Sequence, residues 1–127
     1  MHDQCLYDYA VIRVVPRVER EEFINVGVIL SCPDKNFLEA VIELDEKRLL
    51  ALYPDVDLEK IKSHLAAIPV VCAGKADAGT IGEMSPRARF HWLVAPRSTI
   101  IQISAVHTGQ STDPAQALED LVEKMVR

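Results

Sequence analysis

Three strand-like segments joined by short polar connections precede all of the helix-like sequence, and this order constrains the fold most. Residues 7–15 and 23–32 are rich in β-branched and aromatic side chains, and residues 37–44 alternate apolar with acidic side chains. Because short connections between consecutive strands favour antiparallel pairing, the three segments predict a β-meander. Both faces of the first segment are largely apolar, which predicts a central strand.

The second segment predicts one continuous apolar face, formed by Ile24, Val26, Val28 and Leu30. Its other face contains Asn25 and Gly27, which are unusual in an apolar strand. Gly27 indicates a bulge, or a close approach by another backbone or a ligand. The third segment predicts a buried face and a solvated face that contains Glu39 and Glu43.

The remaining sequence predicts helices and one late strand. The predicted N-caps are Asp45, Asp57, Ser85 and Asp113, the last two followed by proline. Pro69 predicts a kink or an end in the second helix, Gly74 lies where a C-terminal cap would, and residues 73–82 predict a loop. Residues 99–106 alternate in the manner of a fourth strand, and a terminal apolar stripe predicts a final helix.

The predicted architecture is a single α+β domain over residues 1–127. It consists of an antiparallel sheet of about four strands, a β-meander plus a late strand, with helices packed on one face. The fourth strand could join either edge of the meander. With 127 residues, 49% of them hydrophobic, the chain is long enough to bury a substantial core.

Charge and composition disfavour several classes of protein. The net charge of −5 argues against a nucleic-acid partner, for which a local basic face would be needed. The N-terminal residues lack the pattern of a signal peptide, and we expect no transmembrane helix and a cytoplasmic location. The three cysteines are widely spaced without a C-x-x-C pair, which predicts free thiols and no zinc site. No nucleotide, dinucleotide or metal motif is present, so we expect no cofactor and no metal.

Polar residues within apolar segments are the candidate functional residues, because burying them is costly unless they are paired. Arg13 lies between Ile12 and Val14 in the predicted central strand. One interpretation is a structural ion pair with Glu21 or Glu22; the other is an anion site at the sheet edge. Asn25 lies on the neighbouring predicted strand.

Two further positions carry groups that could take part in chemistry. Arg97, Ser98 and Thr99 form either a turn with local hydrogen bonds or a clasp for an oxyanion. His107 is either a surface histidine or a general acid–base. Cys32 has no evident activating group nearby and predicts a buried thiol rather than a nucleophile.

Four segments are specific in combination. They are YDYAVIRVVP at residues 7–16, EFINVGVIL at 22–30, RFHWLVAPRST at 89–99 and VHTG at 106–109. Together, and in this order, they resemble the bacterial domain-of-unknown-function family 3037 over nearly the whole chain. The resemblance implies a small bacterial protein, often encoded beside a HipA-like serine/threonine kinase. The matched polar positions are Arg13, Glu22, Asn25, Arg97, Ser98 and His107.

Three functional hypotheses follow. The first is a non-enzymatic interaction or accessory module, with a HipA-like kinase as its partner. It predicts an unpaired sheet edge or an exposed apolar patch. The alternative is a small enzyme or ligand-binding domain for a phosphate- or carboxylate-bearing substrate, which requires Arg13, Arg97, Ser98 and His107 to converge. A third hypothesis, nucleic-acid binding, would need a basic face built from Arg13, Arg17, Arg20, Arg87, Arg89 and Arg97.

Overall fold

The computed structural model describes residues 4–74, 76–96 and 99–127. In chain order its strands and helices are β1 (Cys5–Val14), β2 (Ile24–Cys32), β3 (Phe37–Ile42), α1 (Glu46–Leu52), α2 (Leu58–Ala73), α3 (Pro86–Val94), β4 (Ile101–Ile103), β5 (His107–Ser111) and α4 (Pro114–Met125). Short 3-10 segments occupy Val18–Arg20, Pro33–Lys35 and Ala76–Glu83, so the predicted loop after α2 contains helical turns.

The sheet is antiparallel, and its strand order is β3-β2-β1, followed by β4 and β5, which both pair with β1. The predicted α+β class, the meander and the central position of β1 are confirmed. The late strand joins the β1 side of the meander, which the sequence left open.

The late strand is divided in two, which makes five strands among the described residues rather than about four. Ile12 of β1 pairs with Ile103, and Tyr9 of β1 pairs with His107. Ile12 and Tyr9 are three residues apart, whereas Ile103 and His107 are four residues apart. The extra residue is a bulge, where the chain leaves the regular ladder. Ser104 lies at this bulge and binds Val11 with both its backbone N–H and its side-chain oxygen.

The helix boundaries follow local capping chemistry closely. Each of the four predicted caps, Asp45, Asp57, Ser85 and Asp113, accepts a hydrogen bond from the backbone N–H three residues later. Pro69 does not end α2, which continues to Ala73 and is capped by Gly74 in the left-handed conformation (φ 68°).

The apolar face predicted for β2 is divided between the two sides of the sheet. Opposite β1, Ile12 pairs with Gly27 but Arg13 pairs with Asn25, so Val26 is the extra residue of a bulge. The bulge reverses the alternation. Val26 therefore packs in the same cluster as Ile29, whereas Val28 packs in the other cluster. The bulge indicated by Gly27 is confirmed, and the continuous face is wrong because the alternation changes there.

Helices cover both faces of the sheet, where the sequence predicted one. We call the side that contains Ile12, Ile29 and Leu38 the α2 face, because α2 and α3 pack there. We call the side that contains Val28 and Cys32 the α4 face, because the apolar residues of α4 pack there. The apolar outward residues of β3, Phe37 and Val41, contact the α4 cluster, so this strand has no fully solvated face. The prediction that helices pack on one face is wrong because the apolar residues of the α4 face must also be buried, and α2 and α3 lie on the other side of the sheet.

The cysteines also differ from the prediction of three free thiols. A disulfide joins Cys5 to Cys32, and Cys72 is a free, buried cysteine. Cys5 is the first residue of β1 and Cys32 is the last residue of β2. Because these strands are antiparallel neighbours, the fold brings the two cysteines together on the α4 face despite a separation of 27 positions in the sequence. Residue spacing alone does not reveal this pairing.

The length and apolar composition of Leu58–Glu83 would by themselves permit a membrane span, a test that core helices of soluble proteins also pass. Within this segment, α2 packs against β3 and buries Ile61, Leu65, Ile68 and Val71 in the core.

Candidate functional site

Arg13 and Asn25 are neighbours across β1 and β2. The guanidinium of Arg13 stacks over the Phe23 ring, with Cζ 4.2 Å from its centroid. Arg13 Nε and Asn25 Oδ1 are both buried without a hydrogen-bond partner among the described residues. The amide of Asn25 donates to the Met125 carbonyl oxygen at 3.0 Å, which holds the end of α4 against β2.

Glu22 does not pair with Arg13. Its carboxylate accepts a hydrogen bond of 2.7 Å from Arg20, and both side chains are solvent-exposed. This hydrogen bond from Arg20 lowers the pKa of Glu22. The structural Arg–Glu interpretation of Arg13 is therefore not realised within the described part of the chain.

His107 lies on β5 opposite Tyr9, with their ring centroids 5.4 Å apart. Since Tyr9 and Arg13 are separated by four positions on one strand, His107 and Arg13 share the α4 face. The same spacing separates them by roughly 13 Å along the sheet. Arg97 and Ser98 lie outside the described residues. Of the six predicted site residues, the structure thus brings together Arg13 and Asn25.

A second polar cluster lies on the α2 face. Arg87 from α3 forms an ion pair with Asp8 at 2.5 Å and donates to Ser31 at 3.1 Å, and Thr108 donates to Asp8 at 2.8 Å. Burial alone would raise the pKa of Asp8, but the hydrogen bonds from Arg87 and Thr108 outweigh burial and lower the pKa. Each of these four side chains has at least one partner, which is typical of a structural role.

Arg89, two residues further along α3 and on its buried side, differs from Arg87 because no carboxylate neutralises its charge among the described residues. It is only 8% exposed, and its guanidinium donates to the backbone oxygens of Met84 at 2.5 Å and Cys72 at 3.2 Å. Nε has no partner, and no carboxylate forms an ion pair with Arg89 within the residues that the structure describes. A buried charge without a counter-charge is expensive and is a signal of function.

Arg89 lines a groove of about 520 Å³ that runs along β3. We call it the edge groove; its walls are Asn36, residues 37–40 of β3, Pro69, Cys72 and Ala73 of α2, and Pro86 and Arg89 of α3. Burial raises the pKa of the Cys72 thiol to about 12 despite the opposing charge of Arg89. The thiol therefore stays protonated and unreactive at neutral pH, so it does not supply a nucleophile.

The outer side of β3 bears unpaired backbone groups. Glu43 N–H donates to the Val26 oxygen at 2.7 Å, which sets the phase of the β2–β3 ladder. Because hydrogen-bonded and non-hydrogen-bonded pairs alternate, the N–H and C=O groups of Leu38, Ala40 and Ile42 point away from β2. No hydrogen bond to these groups occurs among the described residues, so β3 is an open edge beside the groove.

The open edge of β3 and the edge groove together form a surface that can hold a polypeptide segment. Among the described residues, no group of three or more His, Cys, Asp or Glu side chains could hold a metal ion. An open strand edge next to a groove provides main-chain hydrogen bonds for an extended peptide and space for its alternate side chains. Sequence reasoning listed Arg89 only as part of a basic face. The sequence feature that could have indicated its burial is its position directly before the apolar residue Phe90 in the predicted helix.

Comparison with known proteins places this chain in a defined group. A family model described as "Protein of unknown function (DUF3037)" matches residues 9–126. No curated protein and no solved structure matches the chain significantly.

Proposed function

The chain belongs to the DUF3037 family, and we propose that it acts as a non-enzymatic interaction module that binds an extended segment of a partner protein along β3. The observation that carries this proposal is the open edge of β3 beside the edge groove. A segment paired with β3 would use the free backbone groups of Leu38, Ala40 and Ile42. Its alternate side chains would enter the edge groove.

The opposite edge of the sheet is a poorer docking site. There β4 and β5 are separated by the bulge at residues 104–106, which interrupts any continuous ladder. In contrast, β3 pairs with β2 over six consecutive residues without a register shift. A partner segment of about six residues, roughly 20 Å long, therefore fits β3 better.

The binding mode is tested by panning a random octapeptide library, displayed on phage, against the immobilised full chain. We expect peptides whose binding is abolished or weakened at least about ten-fold by Ala40→Pro. Proline removes the outward N–H of residue 40 without removing a bond to β2, and its ring obstructs the docking edge.

Ala40→Val is the matched control, because it retains the N–H and favours a strand. Circular dichroism and thermal melting of both variants establish that they are folded. Failure to recover any peptide, or peptides that bind Ala40→Pro as well as the wild type, would overturn the strand-addition mode.

As the partner we propose a HipA-like kinase in the bacterial cytoplasm, as the family resemblance implies. Size-exclusion chromatography of the purified chain with the purified kinase would give a co-eluting complex. We expect Ala40→Pro to abolish that complex and Ala40→Val to preserve it. Separate elution of the two wild-type proteins at micromolar concentrations would contradict this choice of partner.

One observation favours a second candidate function, the binding of a small phosphate- or carboxylate-bearing ligand at Arg13. Arg13 Nε is buried without a hydrogen-bond partner among the described residues, and Arg13 lines a cavity of about 400 Å³ together with Phe23 and Gln102. Glu19 and Glu21 line the same cavity and would oppose an anion, so this candidate ranks second.

A thermal-shift measurement with inorganic phosphate and with acetate tests this second candidate. If Arg13 binds the anion, the melting temperature of the wild type rises and that of Arg13→Gln does not. Arg20→Gln, which removes an exposed arginine paired with Glu22, is the control for a general charge effect.

A further inference from the structure

We infer that Arg89 is a carboxylate-recognition residue, so that the edge groove selects extended segments with an aspartate or glutamate on the side that faces α2 and α3. This inference rests on the proposed strand addition to β3 and specifies its ligand. Nothing in strand pairing itself requires an acidic residue, so the two ideas can fail separately.

The first argument is the unused hydrogen-bonding capacity of Arg89. A guanidinium has five N–H donors, and the described bonds to Met84 and Cys72 use two of them. Both acceptors are neutral carbonyl oxygens, so they do not neutralise the positive charge. A carboxylate is the group that matches this charge and geometry, and bidentate binding is the strong form of that interaction.

The second argument is location. Arg89 borders the groove together with Leu38 and Ala40, whose side chains lie on the same sheet face as α3. A strand added beside β3 would direct every second side chain to that face. An acidic side chain there would approach the guanidinium, whereas the side chains between would point to the α4 face.

The third argument is that the fold holds Arg89 in place before any ligand arrives. The two carbonyl bonds fix its guanidinium between the end of α2 and the start of α3. Gly74 leaves room for it, since a Cβ atom there would be 2.8 Å from Cζ of Arg89. A charged donor that is already oriented loses little freedom on binding, which favours affinity.

The experiment uses the peptides selected from the octapeptide library. We expect them to share an Asp or Glu at one position of their alternating pattern. For a selected peptide, the Glu→Gln form should bind the wild-type chain at least about ten-fold more weakly, as measured by fluorescence anisotropy. Because this comparison alters only the peptide, it does not depend on whether an Arg89 variant folds.

A second variant assigns the effect to Arg89. In Arg89→Lys, the charge remains but the bidentate fork is lost, so we expect the Glu-to-Gln ratio to fall several-fold through weaker binding of the Glu peptide. Selected peptides that depend on β3 but lack an acidic position, or a Glu-to-Gln ratio near one, would overturn this inference and leave strand addition intact. Peptides insensitive to Ala40→Pro would overturn both.

Discussion

The guanidinium of Arg89 occupies the space beside Gly74 that any other residue would need for its side chain. The position of a Cβ atom on residue 74 is 2.8 Å from both Cζ and Nη1 of Arg89. Gly74 also caps α2 with a left-handed backbone, and its N–H donates to the oxygens of Val70 and Val71. One glycine therefore ends the helix and admits a buried charge.

We expect Gly74→Ala to lower the free energy of unfolding by about 1–2 kcal/mol, because a left-handed conformation is unfavourable for alanine. The added methyl group should also displace Arg89 and weaken the binding of a Glu-containing peptide. Urea unfolding and fluorescence anisotropy measure the two effects. Gly79→Ala is the control, since Gly79 also has a positive φ (67°) but an added Cβ would have no neighbour within 4 Å. Peptide binding equally weakened in both variants would contradict the contact with Arg89.

Gly27 is needed for a different reason, because a side chain at this position would collide with the backbone of a neighbouring strand. A Cβ there would be 2.5 Å from the Val41 carbonyl oxygen, and the Ile12 and Ile42 side chains are also close. We expect Gly27→Ala to destabilise the fold by about 1–3 kcal/mol, the usual cost of overpacking, as measured by urea unfolding. Gly109→Ala is the matched control: its Cβ would meet the end of the Tyr7 side chain, which can rotate away. Equal losses of unfolding free energy in the two variants would show that the close approach of β3 to Gly27 is not what makes a side chain there unfavourable.

The sequence predicted those features that depend on a few neighbouring residues. The caps at Asp45, Asp57, Ser85 and Asp113 were all found because each bonds only three residues ahead. The meander followed from short connections for the same reason. Local chemistry determines these elements whatever the rest of the chain does.

The features that the sequence missed depend on distant partners. The bulge at Val26 was indicated by Gly27, but its effect on the direction of Val28 depends on the pairing with β1. Cys5 and Cys32 become neighbours only when β1 and β2 pair. The surroundings of Arg89 come from α2, α3 and β3 together, so its lack of a counter-charge was not visible in the pattern of α3 alone.

The Asp8–Arg87 pair predicts a pH dependence of stability. The folded-state pKa of Asp8 is lowered, so the pair contributes stability above the ordinary carboxyl value of 3.8, and this contribution is lost as the pH falls through the lower folded-state value. We expect Asp8→Asn to destabilise the chain at pH 7, and the difference from wild type to shrink as the pH falls below about 4. Urea unfolding at pH 7 and pH 3 measures it.

Glu22→Gln is the control for Asp8→Asn. Glu22 also has a lowered pKa, from its hydrogen bond with Arg20, but both side chains are solvent-exposed. Water and salt screen such a pair, so we expect almost no change in stability at either pH. A loss for Asp8→Asn that is as small as the loss for Glu22→Gln, or independent of pH, would contradict the structural role of Asp8.

Cys72 provides a direct test of the packing around the edge groove. Because burial raises its thiol pKa to about 12, we expect iodoacetamide to alkylate it at pH 8 roughly a thousand-fold more slowly in the folded chain than in urea. Peptide mass spectrometry distinguishes Cys72 from the Cys5–Cys32 pair, and Cys72→Ser supplies the blank. The expected retardation reflects desolvation by α2 and its neighbours, with the nearby Arg89 charge acting against it. Rapid alkylation in the folded state would mean that solvent reaches the thiol. That result would contradict the burial of Cys72 in the wall of the edge groove.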